Sequence, residues 1–267
     1  MREQTVIHFD KELFEALCSV PEKSLGVPKE KLQTLWRCLC SLPKNVLGYP
    51  GRFMYNSISS LRKDKFYLLG INPGGDPEKE NMPLRSEIRE WFVWEKDASA
   101  FEQFGETPYK ETLKALCFEI GKDLHDICAS NLYFVRSTDQ DSLMKGKKST
   151  LYKLGLSTSG KEFWPVHEAL IEIVEPKCIF VIGSVTFDNV FKLLNSVGKI
   201  LTRIKKIPCG KYVCNVAECK DKSLKLIGLP HPSARGLRLS DYPMKQIADE
   251  CSPAQGNIWE MPFMCCQ

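Results

Sequence analysis

Three short stretches carry residues able to hold or act on a ligand. Gly70-Ile71-Asn72-Pro73-Gly74-Gly75 closes the apolar run Phe66-Tyr67-Leu68-Leu69. Asn131 sits among apolar neighbours in Ile127-Cys128-Ala129-Ser130-Asn131-Leu132-Tyr133-Phe134. His231-Pro232-Ser233-Ala234-Arg235-Gly236 follows the run Leu224-Lys225-Leu226-Ile227-Gly228-Leu229. In the first stretch Gly70, Gly74 and Gly75 let backbone approach a ligand closely and Pro73 fixes φ. Asn72 is presented at a strand's carboxyl end, where open α/β sheets bind ligands. Asn, Pro and Gly are also what tight turns are made of, so this motif alone leaves both readings open. The same holds for Asn131, because a buried amide needs partners for its donors and acceptor, and either the fold or a ligand can supply them.

The elements that must position these residues follow from periodicity. Phe66 to Leu69, Ile127 to Phe134, Cys178 to Gly183 and Leu224 to Leu229 are short continuous apolar runs, as buried parallel strands read. Between them, Tyr109 to Gly121 and Phe163 to Val174 have helical spacing, and Ser184 is expected to cap a helix with Phe187, Val190, Phe191 and Leu194 on its stripe. Residues 9–20 and 29–42 read as packing helices, Lys44 to Arg52 as a turn-rich connector, and Asp76 to Glu90 as a long loop over the site. Trp91-Phe92-Val93-Trp94 reads as a core anchor in preference to a base-stacking platform. Asp139 to Lys161, with Lys145-Gly146-Lys147-Lys148, reads as solvated surface in preference to a phosphate loop. Ile200–Ile207 and Tyr212–Ala217 flank a Pro208-Cys209-Gly210 turn and suggest a hairpin or strand pair. The order of elements argues for one α/β domain over residues 1–267. The expected architecture is three α/β/α layers around a mostly parallel four-stranded sheet, with residues 1–60 a helical extension packed on it. Loops at the carboxyl ends of parallel strands share one edge, so Asn72, Asn131 and His231 can meet despite separations of 59 and 100 positions.

Composition sets outer limits. With 43% hydrophobic and 26% charged residues the chain is of ordinary globular make-up, and no stretch approaches the roughly 20 apolar residues of a membrane span. The N-terminus lacks a signal-peptide pattern, so an intracellular protein is expected, cytoplasmic if bacterial and nuclear if eukaryotic, with no membrane partner. A net charge of +4 permits a polyanionic partner only through a local footprint. The twelve cysteines are spread along the chain without paired Cys-x-x-Cys spacing, which favours free thiols over disulfides, zinc or an iron–sulfur cluster.

Taken in order, Gly70-Ile71-Asn72-Pro73-Gly74, a strand ending in Asn131-Leu132, and His231-Pro232-Ser233 after a final strand resemble the uracil-DNA glycosylase superfamily. The likeness is greatest to its single-strand-selective monofunctional branch, and it spans roughly Phe66 to Leu239. The resemblance implies a monomeric, cofactor-free and metal-free enzyme that hydrolyses the N-glycosidic bond of uracil in single- or double-stranded DNA and leaves an abasic site. Cleavage puts negative charge on the departing base and positive charge on the sugar, so the site must stabilise an anion and aim one water at C1′. By resemblance Asn72 positions that water, His231 hydrogen-bonds uracil O2 as a neutral imidazole, and Asn131 pairs with N3–H and O4. Gly70, Ile71 and Gly74 line the base, and Leu84 in Met82-Pro83-Leu84 is the nearest match to a Phe that stacks on uracil. Cytosine presents a donor at the O4 position and lacks N3–H, so a fixed amide discriminates between the bases.

The base must be flipped from a duplex or taken from a single strand. The family carries its wedge just after the His motif, which here makes Leu237 or Leu239 the candidate, with Arg235 and Arg238 at phosphates beside Gly236. The backbone of Pro232-Ser233 and of Gly74 and Gly75 is expected to hold flanking phosphates. Gly74 stands where the most uracil-strict branch has a Tyr, which implies room for 5-substituted uracils such as 5-hydroxymethyluracil. No Schiff-base lysine is identified, so lyase activity is not expected. Two other readings stand beside this one. The first is a weak or inactive DNA-binding protein on the same fold. The second is a nucleotide-binding α/β enzyme, against which the chain lacks both a P-loop and a dinucleotide fingerprint.

Overall fold

Strands buried on both faces should alternate between two cores, and the chain does this. In the computed structural model, which describes residues 27–61, 66–93, 101, 105–199, 201–220 and 223–251, six strands form one sheet. They are β1 (Phe66–Gly70), β2 (Ile127–Asn131), β3 (Cys178–Ile182), β4 (Leu201–Cys209), β5 (Tyr212–Cys219) and β6 (Lys225–Leu229). Tyr67, Leu69, Ile179, Val181 and Leu226 enter one core cluster, while Leu68, Cys178, Phe180, Ile182, Ile227 and Leu229 enter another. A period of two sends successive side chains to opposite faces, so helices must cover both.

The described helices supply that cover. They are α1 (Lys29–Cys40), α2 (Lys44–Leu47), α3 (Leu84–Val93), α4 (Pro108–Glu119), α5 (Gln140–Met144), α6 (Thr150–Lys153), α7 (Trp164–Val174), α8 (Ser184–Ser196) and α9 (Met244–Cys251). Helices α1, α3, α7 and α8 bury Leu35, Ile88, Leu170 and Phe187 against the first face. On the second face α4 and α9 bury Leu113, Leu116 and Ile247.

The sheet order is β2-β1-β3-β6-β5-β4. The first four strands are mutually parallel, whereas β5 runs antiparallel to both β6 and β4. The expected four-stranded sheet is therefore corrected to a six-stranded mixed one, because the hairpin joins the β6 edge by main-chain pairing. The chain leaves β1 to form β2 on one side and returns to place β3 on the other. Their carboxyl ends thus flank a topological switch point, where such sheets open a crevice.

Other expectations also change. Asp76–Glu90 is not wholly loop, since α3 begins at Leu84 and buries Leu84, Ile88 and Trp91 at i, i+4 and i+7. Trp91 is a core anchor whose Nε1 donates to Asn56 O at 2.7 Å; the side chain of Phe92, and Trp94, lie outside the description, as does the helix expected over residues 9–20. Ser184 is the first helical residue of α8, and the cap position is Gly183 at φ 94°. Residues 50–55, read as part of a connector and extension, run antiparallel along the outer edge of β2. Bridges join Gly51 to Val135 and Met54 to Ser130, Arg52 N donates to Phe134 O at 2.8 Å, and Tyr55 N donates to Ala129 O at 3.0 Å. This strip covers the β2 edge and carries Tyr55 to the end of the strand. Among the described residues no helix is long and apolar enough to cross a membrane, and the described cysteines are free.

Candidate functional site

The first two motif residues are held together by the parallel register, which pairs Gly70 with Asn131. Leu132 N donates to Gly70 O at 2.9 Å and Tyr133 N to Ile71 O at 3.0 Å, so pairing continues past the strand ends. A Cβ on Gly70 would lie 2.4 Å from Asn131 Oδ1, far inside contact distance. Glycine at 70 thus makes room for the Asn131 carboxamide to lie over β1. Asn131 is 2% exposed, and its Nδ2 donates to the Tyr55 hydroxyl at 3.1 Å. One amide hydrogen therefore has a protein partner, and the remaining donor and the carbonyl keep capacity for a ligand.

Asn72 is half-buried, and its Nδ2 donates to Ser137 O at 3.1 Å. Because the partner is a carbonyl, it fixes which end of the amide is nitrogen and leaves Oδ1 as the open acceptor. That is the end that can hold a water by accepting a hydrogen bond from it. The turn behind Asn72 is stapled by Arg136, a residue the sequence reading missed. Its Nη1 donates to Gly74 O at 3.0 Å and pairs with Glu80 Oε2 at 2.8 Å. A Cβ on Gly75, at φ 82°, would come within 2.4 Å of Glu80 Oε1 and 2.9 Å of Arg136 Nη1. Gly74, at φ 66°, has nothing within 4 Å of its missing Cβ.

His231 lies beyond the carboxyl end of β6. Strands about 4.8 Å apart place β6 roughly 10 Å from β1 across β3, a gap of nucleotide size. Ser233 N donates to His231 Nδ1 at 3.1 Å. A ring nitrogen that accepts carries no proton, so the neutral ring is protonated on Nε2, which becomes the open donor. Desolvation by its neighbours pushes the His231 pKa below its ordinary value and favours this neutral form.

Between Asn131 and His231 runs a row of aromatic rings. Tyr55 stacks on Phe101 at 5.1 Å between centroids, Phe101 meets Tyr109 at 6.2 Å, and Tyr109 meets His231 at 6.0 Å. Burial raises the pKa of both tyrosines, so both remain neutral hydrogen-bonding groups. Arg52 lies 5.7 Å from the Tyr55 ring centroid and 4.0 Å from Glu87 Oε1, and Phe53 N donates to Glu87 Oε2 at 2.7 Å. Burial raises the Glu87 pKa to about 7 against the opposing pull of that N–H and of Arg52 and Arg136.

Some expected site residues are placed differently. Leu84 is corrected: at 0% exposure it belongs to the core and packs where a Cβ on Gly51 would stand, so it presents no face to a base. Pro232 has no N–H and the Ser233 N–H is taken by His231, which leaves the Ser233 hydroxyl and not that backbone for a phosphate. Leu237 is half-buried against the second core, whereas Leu239 is 43% exposed, so Leu239 is the free apolar side chain of the pair. Ile71, Arg235, Gly236 and Arg238 lie on the same edge, Arg235, Gly236 and Arg238 exposed. Lys145 pairs with Asp141 at 2.8 Å on an exposed turn. Among the described residues no cluster of His, Cys, Asp and Glu is arranged to hold a metal ion.

The carboxyl edge of the parallel strands thus presents an open acceptor after β1, a partly engaged amide at the end of β2 and a neutral imidazole donor after β6. No protein-family model and no curated protein matches this chain.

Proposed function

We propose that the chain is a monofunctional DNA glycosylase that hydrolyses the N-glycosidic bond of uracil and leaves an abasic site. The observation that carries this reading is the His231 tautomer: the Ser233 N–H occupies Nδ1 and leaves Nε2–H to meet uracil O2 as negative charge builds there. A preorganised donor aimed at developing charge is worth about 10²–10³ in rate. Asn72 Oδ1 holds the attacking water at the other end of the crevice, and Asn131 reads N3–H and O4. The C1′–N1 bond breaks with its electron pair leaving on the uracil anion, and the water oxygen bonds C1′ while its proton passes to solvent. Neutral Asn72 orients this water without removing its proton, so the chemistry is slow. The open space at Gly74 supports admission of 5-substituted uracils.

The test is incubation with a fluorescent single-stranded oligonucleotide containing one uracil, then hot alkali and a denaturing gel. Alkali-dependent scission that falls at least about 100-fold in Asn72→Ala and in His231→Ala is the expected result. A second reading, a DNA-binding protein that does not excise, is favoured by one observation, the burial of Leu84 where a stacking ring is needed. Under it the oligonucleotide stays uncut across single- and double-stranded substrates while binding persists.

A further inference from the structure

The β4–β5 hairpin is additional to the four parallel strands that end at the candidate site, yet its tip is fastened to the site loop. Tyr212 Oη donates to Arg235 O at 3.0 Å. A Cβ on Gly236 would lie 3.6 Å from Lys211 Nζ, and one on Gly210 would lie 3.2 Å from Asp241 Cβ and Cγ. Asp241 Oδ2 in turn accepts from Arg238 N at 2.8 Å. Residues 210–212 and 235–241 therefore form one connected surface, which begins only four residues after His231.

The tip gathers charge beside the site loop. On β4, Arg203 pairs with Asp188 and Lys205 with Glu250, and Lys206 is exposed on the strand away from that loop's residues 235–238. Lys211 is exposed and meets no carboxylate within ion-pair distance among the described residues, and it lies 5.4 Å from the Tyr212 ring centroid. Arg235 and Arg238 are exposed beside it. Three cations and an aromatic ring on one rigid patch suit a phosphodiester chain carrying unpaired bases.

We propose that the hairpin tip is part of the DNA-binding surface, with Lys211 on a backbone phosphate of the strand flanking the extruded nucleotide and Tyr212 holding the loop that carries Arg235. This rests on the glycosylase reading above, and it assigns to the added hairpin a role that the four parallel strands do not fill. Lys220 follows the far end of β5, about 30 Å away at roughly 3.3 Å per residue, well beyond the roughly 10 Å over which charges act in 0.1 M salt. It is the control for loss of one positive charge.

The experiment uses the full chain and two readouts, excision of the uracil strand and anisotropy binding to a uracil-free fluorescent strand of the same length across a salt series. Lys211→Ala is expected to weaken binding about three- to tenfold, to lower the slope of log K against log salt by about 0.7, and to leave the saturating excision rate unchanged. Lys211→Arg restores both affinity and slope, and Lys220→Ala matches wild type. If wild type binds and excises while Lys211→Ala matches it in affinity and slope, the hairpin proposal falls alone. If wild type binds without excising, the glycosylase reading falls, and the hairpin contact stands or falls on the same slope. A wild-type protein that neither binds nor excises overturns both.

Discussion

The parallel half of the sheet and the antiparallel hairpin meet along β6 and β5 but are stabilised in different ways. Strands β2, β1 and β3 are closed on both faces, β2 and β3 at every residue, whereas β4 is exposed from Thr202 to Lys206 and uses ion pairs to Asp188 and Glu250. The parallel half also encloses ionisable groups whose partners are neutral or few. His167 is 0% exposed, its Nδ1 accepts from Tyr67 Oη at 2.7 Å, and its Nε2 faces Leu132 O at 3.3 Å, so the ring is neutral with its proton on Nε2. The lesson is that the half carrying the candidate site is sensitive to protons, and the hairpin to salt.

The largest expected effect breaks that comparison by pH. Burial depresses the His167 pKa from 6.5 to about 4, so between those values the unfolded chain binds the extra proton and stability falls as pH falls. Burial raises the Glu87 pKa from 4.5 to about 7, so there the folded chain binds the extra proton and stability falls as pH rises. Each effect amounts to about 3 kcal/mol at full extent, and across pH 4.5–6.5 the two oppose each other. Urea titrations should therefore show a nearly flat wild-type stability over that window. Glu87→Gln should expose the loss on acidification, about 3 kcal/mol from His167, with the depressed His231 adding in the same direction. A flat profile in Glu87→Gln would mean that His167 takes up its proton at an ordinary pH in the folded chain.

A smaller effect sharpens the comparison by volume. Gly70→Ala drives a methyl into Asn131 Oδ1 in a region closed by main-chain bonds, so a loss of about 1–3 kcal/mol is expected together with displacement of the amide. Ile204→Val on the open face of β4, at 49% exposure, should stay within about 0.5 kcal/mol. Thermal melts of the two variants measure the contrast, and equal shifts would erase it.

This difference between the halves also governs what could be read from the chain. The four parallel strands were legible because burial on both faces leaves continuous apolar runs, and Asn72, Asn131 and His231 stood out as polar groups ending or following those runs. Leu84 was misplaced by reading through Pro83 into a loop, although Leu84, Ile88 and Trp91 at i, i+4 and i+7 already marked a helix. The hairpin was legible as a pair of strands, but its attachment to β6 was not, since pairing partners leave no local pattern. Tyr55, Arg136 and Phe101 were not legible for the same reason. Tyr55 reaches Asn131 across 76 residues, by way of a strip whose own sequence reads as a connector.

Tyr55 carries the smallest of these predictions. Its hydroxyl accepts from Asn131 Nδ2, and its ring is fixed by Phe101 on one side and approached by Arg52 on the other. Tyr55→Phe keeps the ring and removes only the hydroxyl, so the fold should lose about 1 kcal/mol, the net value of one hydrogen bond. The larger consequence falls on the amide, which loses the anchor that fixes its nitrogen end. A rotated carboxamide offers an acceptor where uracil O4 needs a donor, and it then suits the N4 amino group of cytosine. Under the glycosylase proposal the variant should excise uracil more slowly and lose part of the proposed preference for uracil over cytosine, while Asn72→Ala slows excision and leaves that preference intact. Competition assays with uracil and cytosine strands measure the ratio directly. If Tyr55→Phe lowers the melting temperature but leaves the ratio untouched, Tyr55 serves the packing of the β2 edge and not the reading of the base.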